Sequence, residues 1–300
     1  MRSAWLKWAR GVEHQQVMAR ATREHQQSGI SNLYERCDNA GDATDPLLRM
    51  HWHLAEAATV PERWGVLLGD VFTNFRAALD HAMWAAVLRH SGPPDRAEDV
   101  QFPIALEPRK MKNPRQKLRS LVAPAVWEMI ETVQPMLLDD PQRHELETLR
   151  WGSNIDKHRF LHVAARAYVD VGPVIVRPDV AELEVVDEWR APGQVQVGDV
   201  VAGLTLRRSS EGQGVDLCAT LAHTFVLQVG DAPPAWVPLA DAMEAVNEYV
   251  LSVIFAFADL LGEDLPDPDS LELGMEHAAV APEFEGRPLR GGAAPTDPPL

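Results

Sequence analysis

Cysteine is nearly absent from this chain: Cys37 and Cys218 are the two, far apart in sequence. That excludes a disulfide framework and a cysteine-based metal site, and it fits a reducing cytoplasm. No apolar run approaches the roughly 20 residues needed to span a bilayer. The longest, Val246 to Leu261, is interrupted by Glu248 and Asp259. The opening Met-Arg-Ser-Ala-Trp-Leu-Lys-Trp leads into Glu-His-Gln-Gln rather than an apolar core, so it does not read as a signal peptide. No GxGxxG, P-loop, GxSxG, HExxH or CxxC pattern occurs, which removes the motif-bearing enzyme classes. Positive charge is also scarce. Lys and Arg number 28 against 44 Asp and Glu, a net charge of −16. Such a balance argues against general coating of nucleic acid and against an anionic membrane surface, both of which need clustered cations.

What is present is ordinary globular material. The chain has 300 residues, 46% hydrophobic and 24% charged, enough to bury a substantial core. The charge is unevenly spread. Residues 262–300 hold nine acidic residues against Arg287 and Arg290, so they carry −7 of the −16. Conversely, Arg109, Lys110, Lys112, Arg115, Lys117 and Arg119 form a dense basic run. This run reads either as a solvated helix face or as a local contact for phosphate or an acidic partner.

Hydrophobic periodicity divides the chain. Trp5, Trp8, Val12 and Met18 recur at helical spacing over residues 2–29, with Gly29 as the expected stop. Residues 38–45 are polar and read as a loop. Leu48 to Leu54 alternates apolar and polar, a strand with His51 and His53 on one face. Those histidines read as solvent-facing, with a metal pair as the alternative. Pro61 opens a long helix that runs to about His90 and ends at Ser91-Gly-Pro-Pro; its wide apolar surface predicts a central position. Val100 to Ala105 reads as extended. Helices follow near 112–121, 124–133 and 141–153, punctuated by Pro114, Pro124, Pro135 and Pro141. From Phe160 the period becomes two, with strands expected near 161–171, 174–177, 182–188, 200–208 and 215–229. Residues 238–261 form a last amphipathic helix, and the Pro-, Gly- and acid-rich 262–300 reads as a disordered tail.

Two polar knots interrupt this pattern. The first, Asn74-Phe-Arg76-Ala-Ala-Leu-Asp80-His81, lies within the long apolar helix. A buried charge must be paired or functional, because leaving it unpaired costs several kcal/mol. Arg76 and Asp80 are four apart and meet as an intrahelical ion pair, while Asn74 and His81, seven apart, share one face. The structural reading is therefore an ion pair plus a hydrogen-bonded core histidine.

The functional reading comes from resemblance. Arg76 and His81 resemble the Arg-x4-His motif of the HEPN superfamily of helical nuclease and nucleotide-binding domains. In its nuclease members the motif's Arg and His gather in a cleft, usually between two protomers, and cleave RNA without a metal ion. The resemblance implies His81 as general acid/base at a ribose 2′-OH or leaving oxygen, and Arg76 as stabiliser of the developing phosphate charge, with Asn74 and Asp80 in support. On a regular helix Arg76 and His81 point about 140° apart, so the reach of the arginine side chain or a helix break near Asn74 must bring both to one phosphate.

The second knot is Asn154-Ile-Asp156-Lys157-His158-Arg159, where helices give way to strands. It reads as a junction network, with Asp156 pairing with Lys157 or Arg159 and His158 donating to a loop carbonyl. Asp156, His158 and His162 as metal ligands would need the helix to continue to His162, and the alternation after Phe160 argues against that. The two knots are candidates to meet, through Asp80 with Lys157 or Arg159 and Asp156 with Arg76, in a network that ties the halves together beside a pocket. The combination of Asn-x-Arg-x-Ala-Leu-Asp-His, Phe-Pro-Ile and Asn-Ile-Asp-Lys-His-Arg over residues 60–165 resembles a group of bacterial proteins to which no activity is attached.

The expectation is an α+β protein forming one unit over 1–261: mainly helical to 158, antiparallel strands over 159–230, and a long helix at 238–261. No cofactor or metal is expected, and no membrane. Two functions stand. One is a HEPN-like metal-independent ribonuclease or RNA-binding protein using Arg76 and His81, with the residues of the second knot and Lys110, Lys112 and Arg115 as contacts. The other is a non-catalytic ligand- or protein-binding protein whose Arg, Asp and His clusters are structural. Apolar surface on the long helices suggests a homodimer.

Overall fold

In a computed structural model, residues 1–28, 32–156, 161, 163–167, 175–177, 184–191, 196–208, 216–218, 223–230 and 235–271 are described. Six α-helices occur among them: α1 (Arg2–Gln27), α2 (Arg63–Ser91), α3 (Pro108–Leu118), α4 (Pro124–Thr132), α5 (Glu145–Asp156) and α6 (Leu239–Leu261). The strands are β1 (Leu33–Asp38), β2 (Leu47–Glu56), β3 (Val163–Ala167), β4 (Ile175–Arg177), β5 (Glu184–Arg190), β6 (Val200–Arg207), β7 (Asp216–Cys218), β8 (His223–Val229) and β9 (Ala235–Pro238).

The expected class is present: a helical N-terminal half, antiparallel strands and a long C-terminal helix. Helix α2 is its axis. The Trp64 N–H reaches the Pro61 carbonyl at 2.9 Å to start it, and Gly92 ends it with φ of 74°, a backbone region open to glycine. Its buried residues include Trp64, Leu68, Phe72, Phe75, Leu79 and Met83. They face α1, α5 and α6, the helices that pack against α2. No helix among the described residues is long and apolar enough to cross a membrane.

The strands depart from expectation in arrangement. They form a four-stranded sheet in the order β1-β2-β6-β5, a three-stranded sheet β3-β8-β9 and a pair β4-β7, all antiparallel. The N-terminal hairpin is thus completed by C-terminal strands, with Met50 opposite Leu204 and Trp52 opposite Ala202. On β2, Leu48, Met50, Trp52 and Leu54 are buried, and Arg49, His51 and His53 lie on the other face, as the alternation predicts. Strands β1 and β9 were not expected from the sequence.

Two boundaries also move. Helix α3 begins at Pro108 rather than 112 and continues through Pro114. The segment expected to be disordered from 262 is ordered through Leu271. Leu271 is buried, Arg2 donates to the Ser270 hydroxyl and carbonyl oxygens at 2.8 Å each, and the terminal amine of Met1 lies 3.5 Å from Glu263. Gly29 and residues 272–300 lie outside the described residues.

Candidate functional site

The first knot sits midway along α2, and its ion pair grips a neighbouring strand of backbone. Arg76 Nη2 lies 3.0 Å from Asp80 Oδ1, and Nε donates to Oδ2 at 3.3 Å. Asp80 Oδ1 also accepts the Phe102 N–H at 2.8 Å, while Arg76 Nη2 donates to the Phe102 carbonyl at 2.6 Å. The pair therefore satisfies both backbone groups of one extended residue that has no sheet partner, and holds the fully buried Phe102 ring in the core.

Gln134 completes the same device from the opposite side. Its amide Nε2 donates to the Pro103 carbonyl at 3.0 Å and to the Ile130 carbonyl at 2.9 Å, and its Oε1 accepts the Ala105 N–H at 2.9 Å. The Met136 N–H then donates to the Ala105 carbonyl at 3.1 Å. The Phe-Pro-Ile-Ala stretch is thus threaded between α2 and the end of α4, bonded by side chains where a sheet would use backbone.

The other members of the knot separate from the ion pair. Asn74 Nδ2 donates to the Asp70 carbonyl one turn earlier on α2, at 2.8 Å. His81 is half-buried and has no hydrogen-bond partner among the described residues.

Beside the ion pair lies a polar cavity of about 430 Å³. Its walls come from α2 (Arg76, Asp80), the 98–104 segment, α3 and α5. Asn154 lines it, so the beginning of the second knot and the centre of the first share one wall. His81, Lys110, Lys112 and Arg115 do not line it. The Asp156 side chain and Lys157, His158, Arg159 and His162 lie outside the described residues, and with them the expected pairings of Asp80 and Arg76 to that knot.

Half of the basic run is neutralised. Arg109 pairs with Glu107, Arg115 with Glu131 at 2.5 Å and Lys117 with Asp99 at 2.9 Å. The Lys117 hydrogen bond is the first cause holding the Asp99 carboxyl below its ordinary range. Lys110 and Lys112 are exposed, without ion-pair partners among the described residues. Met111 and Leu118 are the buried residues of α3, so the run occupies a solvated face.

Sequence reasoning missed Asp99, Asn113 and Arg150 as cavity residues. Arg150 had a local signal: Glu147 stands three positions before it, and the two pair at 2.5 and 2.6 Å on α5. Asp99 had the same kind in Arg96, three positions before it and 3.3 Å away, whereas Asn113 had none, since only tertiary packing brings it to the cavity.

His144 just before α5 has a different role. Its Nδ1 accepts the Leu146 N–H at 3.0 Å, which caps the helix with an imidazole. The Glu145 carboxylate lies 3.6 Å from the same nitrogen, but a nitrogen that accepts an N–H has no proton to give, so the cap defines the neutral ring. Burial holds the His144 pKa below its ordinary value, with Glu145 opposing. The ring packs edge-on against Tyr249 at 4.7 Å, and the Tyr249 hydroxyl donates to the Val133 carbonyl at 3.1 Å. Burial, with Glu145 adding to it, pushes the Tyr249 pKa up to about 12.

Among the described residues, no three His, Cys, Asp or Glu side chains converge as metal ligands. His51 stands 6.5 Å from the Trp189 ring, and His53 Nδ1 is 3.3 Å from the Gly198 carbonyl. Comparison of the chain with protein-family models, with curated proteins and with solved structures gives no match in any of the three.

Proposed function

We propose that this is a non-catalytic binding protein: its Arg76–Asp80 pair is structural, and its cavity between α2, α3 and α5 receives a small polar molecule. One observation carries the reading. Arg76 Nε and Nη2 and the Asp80 carboxylate are committed to the Phe102 backbone and to each other, which leaves the pair holding the cavity wall rather than poised for a reaction. A cavity of about 430 Å³ lies within the range of small-molecule sites, roughly 300–1,000 Å³.

A second reading is the HEPN-like, metal-independent ribonuclease. In its favour, His81 is half-buried and has no hydrogen-bond partner among the described residues, which leaves both ring nitrogens available for proton transfer. RNA would then be the partner, with Arg76 on the phosphate. Self-association belongs to either reading: Phe255 on α6 is exposed beside Trp5, their rings 5.2 Å apart. The scarcity of cysteine supports a reducing compartment such as the cytoplasm.

The deciding experiment incubates a labelled RNA pool with the purified protein in EDTA, beside Arg76→Ala, Asp80→Ala and His81→Ala. The binding reading expects intact RNA throughout, with Arg76→Ala and Asp80→Ala each losing about 2–4 kcal/mol of stability. Cleavage by the wild type, abolished in a folded His81→Ala, establishes the nuclease instead. Size-exclusion chromatography with light scattering reads the oligomeric state of the same samples.

A further inference from the structure

Six charged side chains line the cavity: Arg76, Lys117 and Arg150 against Asp80, Glu98 and Asp99. Their formal charges cancel. Each cation already faces a carboxylate of this chain: Arg76 with Asp80 at 3.0 Å, Lys117 with Asp99 at 2.9 Å, and Arg150 with Glu147 at 2.5 Å. A ligand bearing only negative charge meets as many carboxylates as cations here. It would have to break an existing pair to gain a partner, and a stranded charge in a partly desolvated site is costly. A ligand bearing only positive charge meets the mirror-image problem.

The binding capacity left over has both signs. Arg76 Nη1 donates to no described residue, and Lys117 uses one of its three N–H groups on Asp99. Glu98 and Asp99 are held from outside by the exposed Arg96, at 3.1 and 3.3 Å. They retain acceptor positions, since a carboxylate has about four. Neutral amides fill the remainder: Gln101, Asn113 and Asn154 have no hydrogen-bond partner among the described residues.

Both signs are present at two depths. The Arg76 and Asp99 side chains are 19% and 25% exposed, and those of Lys117 and Glu98 are 43% and 69% exposed. A donor and an acceptor therefore lie in the deeper part of the cavity, and one of each lies nearer its mouth.

Resting on the binding reading above, we infer that the cavity selects a small zwitterion of the free amino-acid kind. The ligand carboxylate sits on Arg76 Nη1 and Lys117 Nζ. The ammonium sits on Glu98 and Asp99, and Asn113 and Asn154 supply neutral hydrogen bonds. Inserted this way, the ligand adds one charge of each sign beside its complement and no internal ion pair has to break.

The test is calorimetric titration of the full chain with the free L-amino acids. Each amino acid that binds is compared with its decarboxylated amine and its deaminated acid, and inorganic phosphate and adenosine monophosphate are titrated alongside. The expected result is saturable binding of an amino acid, little affected by salt, with both single-charge analogues about tenfold weaker or worse. Lys117→Met and Asn154→Ala, both at exposed positions, should weaken it about tenfold with unchanged melting temperatures. Phosphate or adenosine monophosphate binding in a Lys117-dependent manner overturns the zwitterion and leaves the binding reading standing. Failure of every amino acid to bind overturns the inference, and RNA cleavage in the preceding experiment overturns the binding reading itself.

Discussion

Gly152 on α5 faces the ring of Phe72 on α2 so closely that a methyl group at Gly152 would stand 2.4 Å from a ring carbon. Gly11 on α1 makes the same approach from another side, where a methyl would stand 2.5 Å from the Phe75 ring. Both rings are fully buried. Gly152→Ala and Gly11→Ala should each lower stability by about 1–3 kcal/mol despite alanine's better helix propensity. Urea denaturation of the two single variants and their combination checks this. A gain in stability at either site would mean that the helices can slide apart without loss.

Gln134 bonds to three backbone groups while almost wholly buried. Gln134→Leu keeps much of the volume and strands all three. It should cost about 2–4 kcal/mol, because each abandoned buried polar group carries its own desolvation penalty. Thermal melts should show a larger loss for Gln134→Leu than for Asn74→Leu, which removes a single bond to Asp70.

The imidazole cap makes stability depend on pH in a definite direction. The folded protein holds the His144 pKa below the unfolded value of about 6.5. The unfolded state therefore binds the proton more readily. The contribution of the cap is complete above the unfolded pKa and is lost as pH falls through the folded one. His144→Asn supplies an oxygen in place of Nδ1 and should keep the cap while flattening that pH response. His144→Ala should lose about 1 kcal/mol at neutral pH. Parallel denaturation curves between pH 7.5 and about pH 5 test both variants.

Arg208, just past β6, reaches back to the loop after β1. Its Nη1 donates to the carbonyls of Asp42 and Asp45 at 2.5 and 3.0 Å, and Nη2 to that of Asn39 at 3.3 Å. The residue is buried. Arg208→Lys cannot reproduce a fork that serves three acceptors and should cost about 1–2 kcal/mol. Hydrogen exchange would report the change as faster exchange at Asp42 and Leu47, whose N–H groups are tied down in that loop.

The elements that were legible in the sequence are those whose partners lie on the same element. The α2 stripe, the β2 alternation and the Arg76–Asp80 pair all follow from spacing alone. Strand β1 was illegible because Leu33-Tyr-Glu-Arg-Cys-Asp is mostly exposed and carries no apolar alternation; only pairing with β2 makes it a strand. The role of the ion pair was half legible. Its partners across the gap are the N–H and C=O of Phe102, and backbone groups leave no mark on residue identity. The cavity was hidden for a related reason. Asp99 and Arg150 each have a nearby sequence partner, but nothing in their spacing says that they converge with Lys117 beside α2.

The pairing of β2 with β6 has a consequence for how the chain is made. During synthesis the β1–β2 hairpin emerges early, with Leu48, Met50, Trp52 and Leu54 waiting on one face and a strand edge unbonded. That edge is closed only after Arg207 has been added. Contacts so distant along the chain form late. Over that interval the nascent polypeptide presents an apolar, hydrogen-bond-hungry ribbon of the kind that recruits chaperones or neighbouring chains. A fragment ending before β6 would hold that state permanently, so truncation near residue 160 should yield aggregate rather than a soluble helical half.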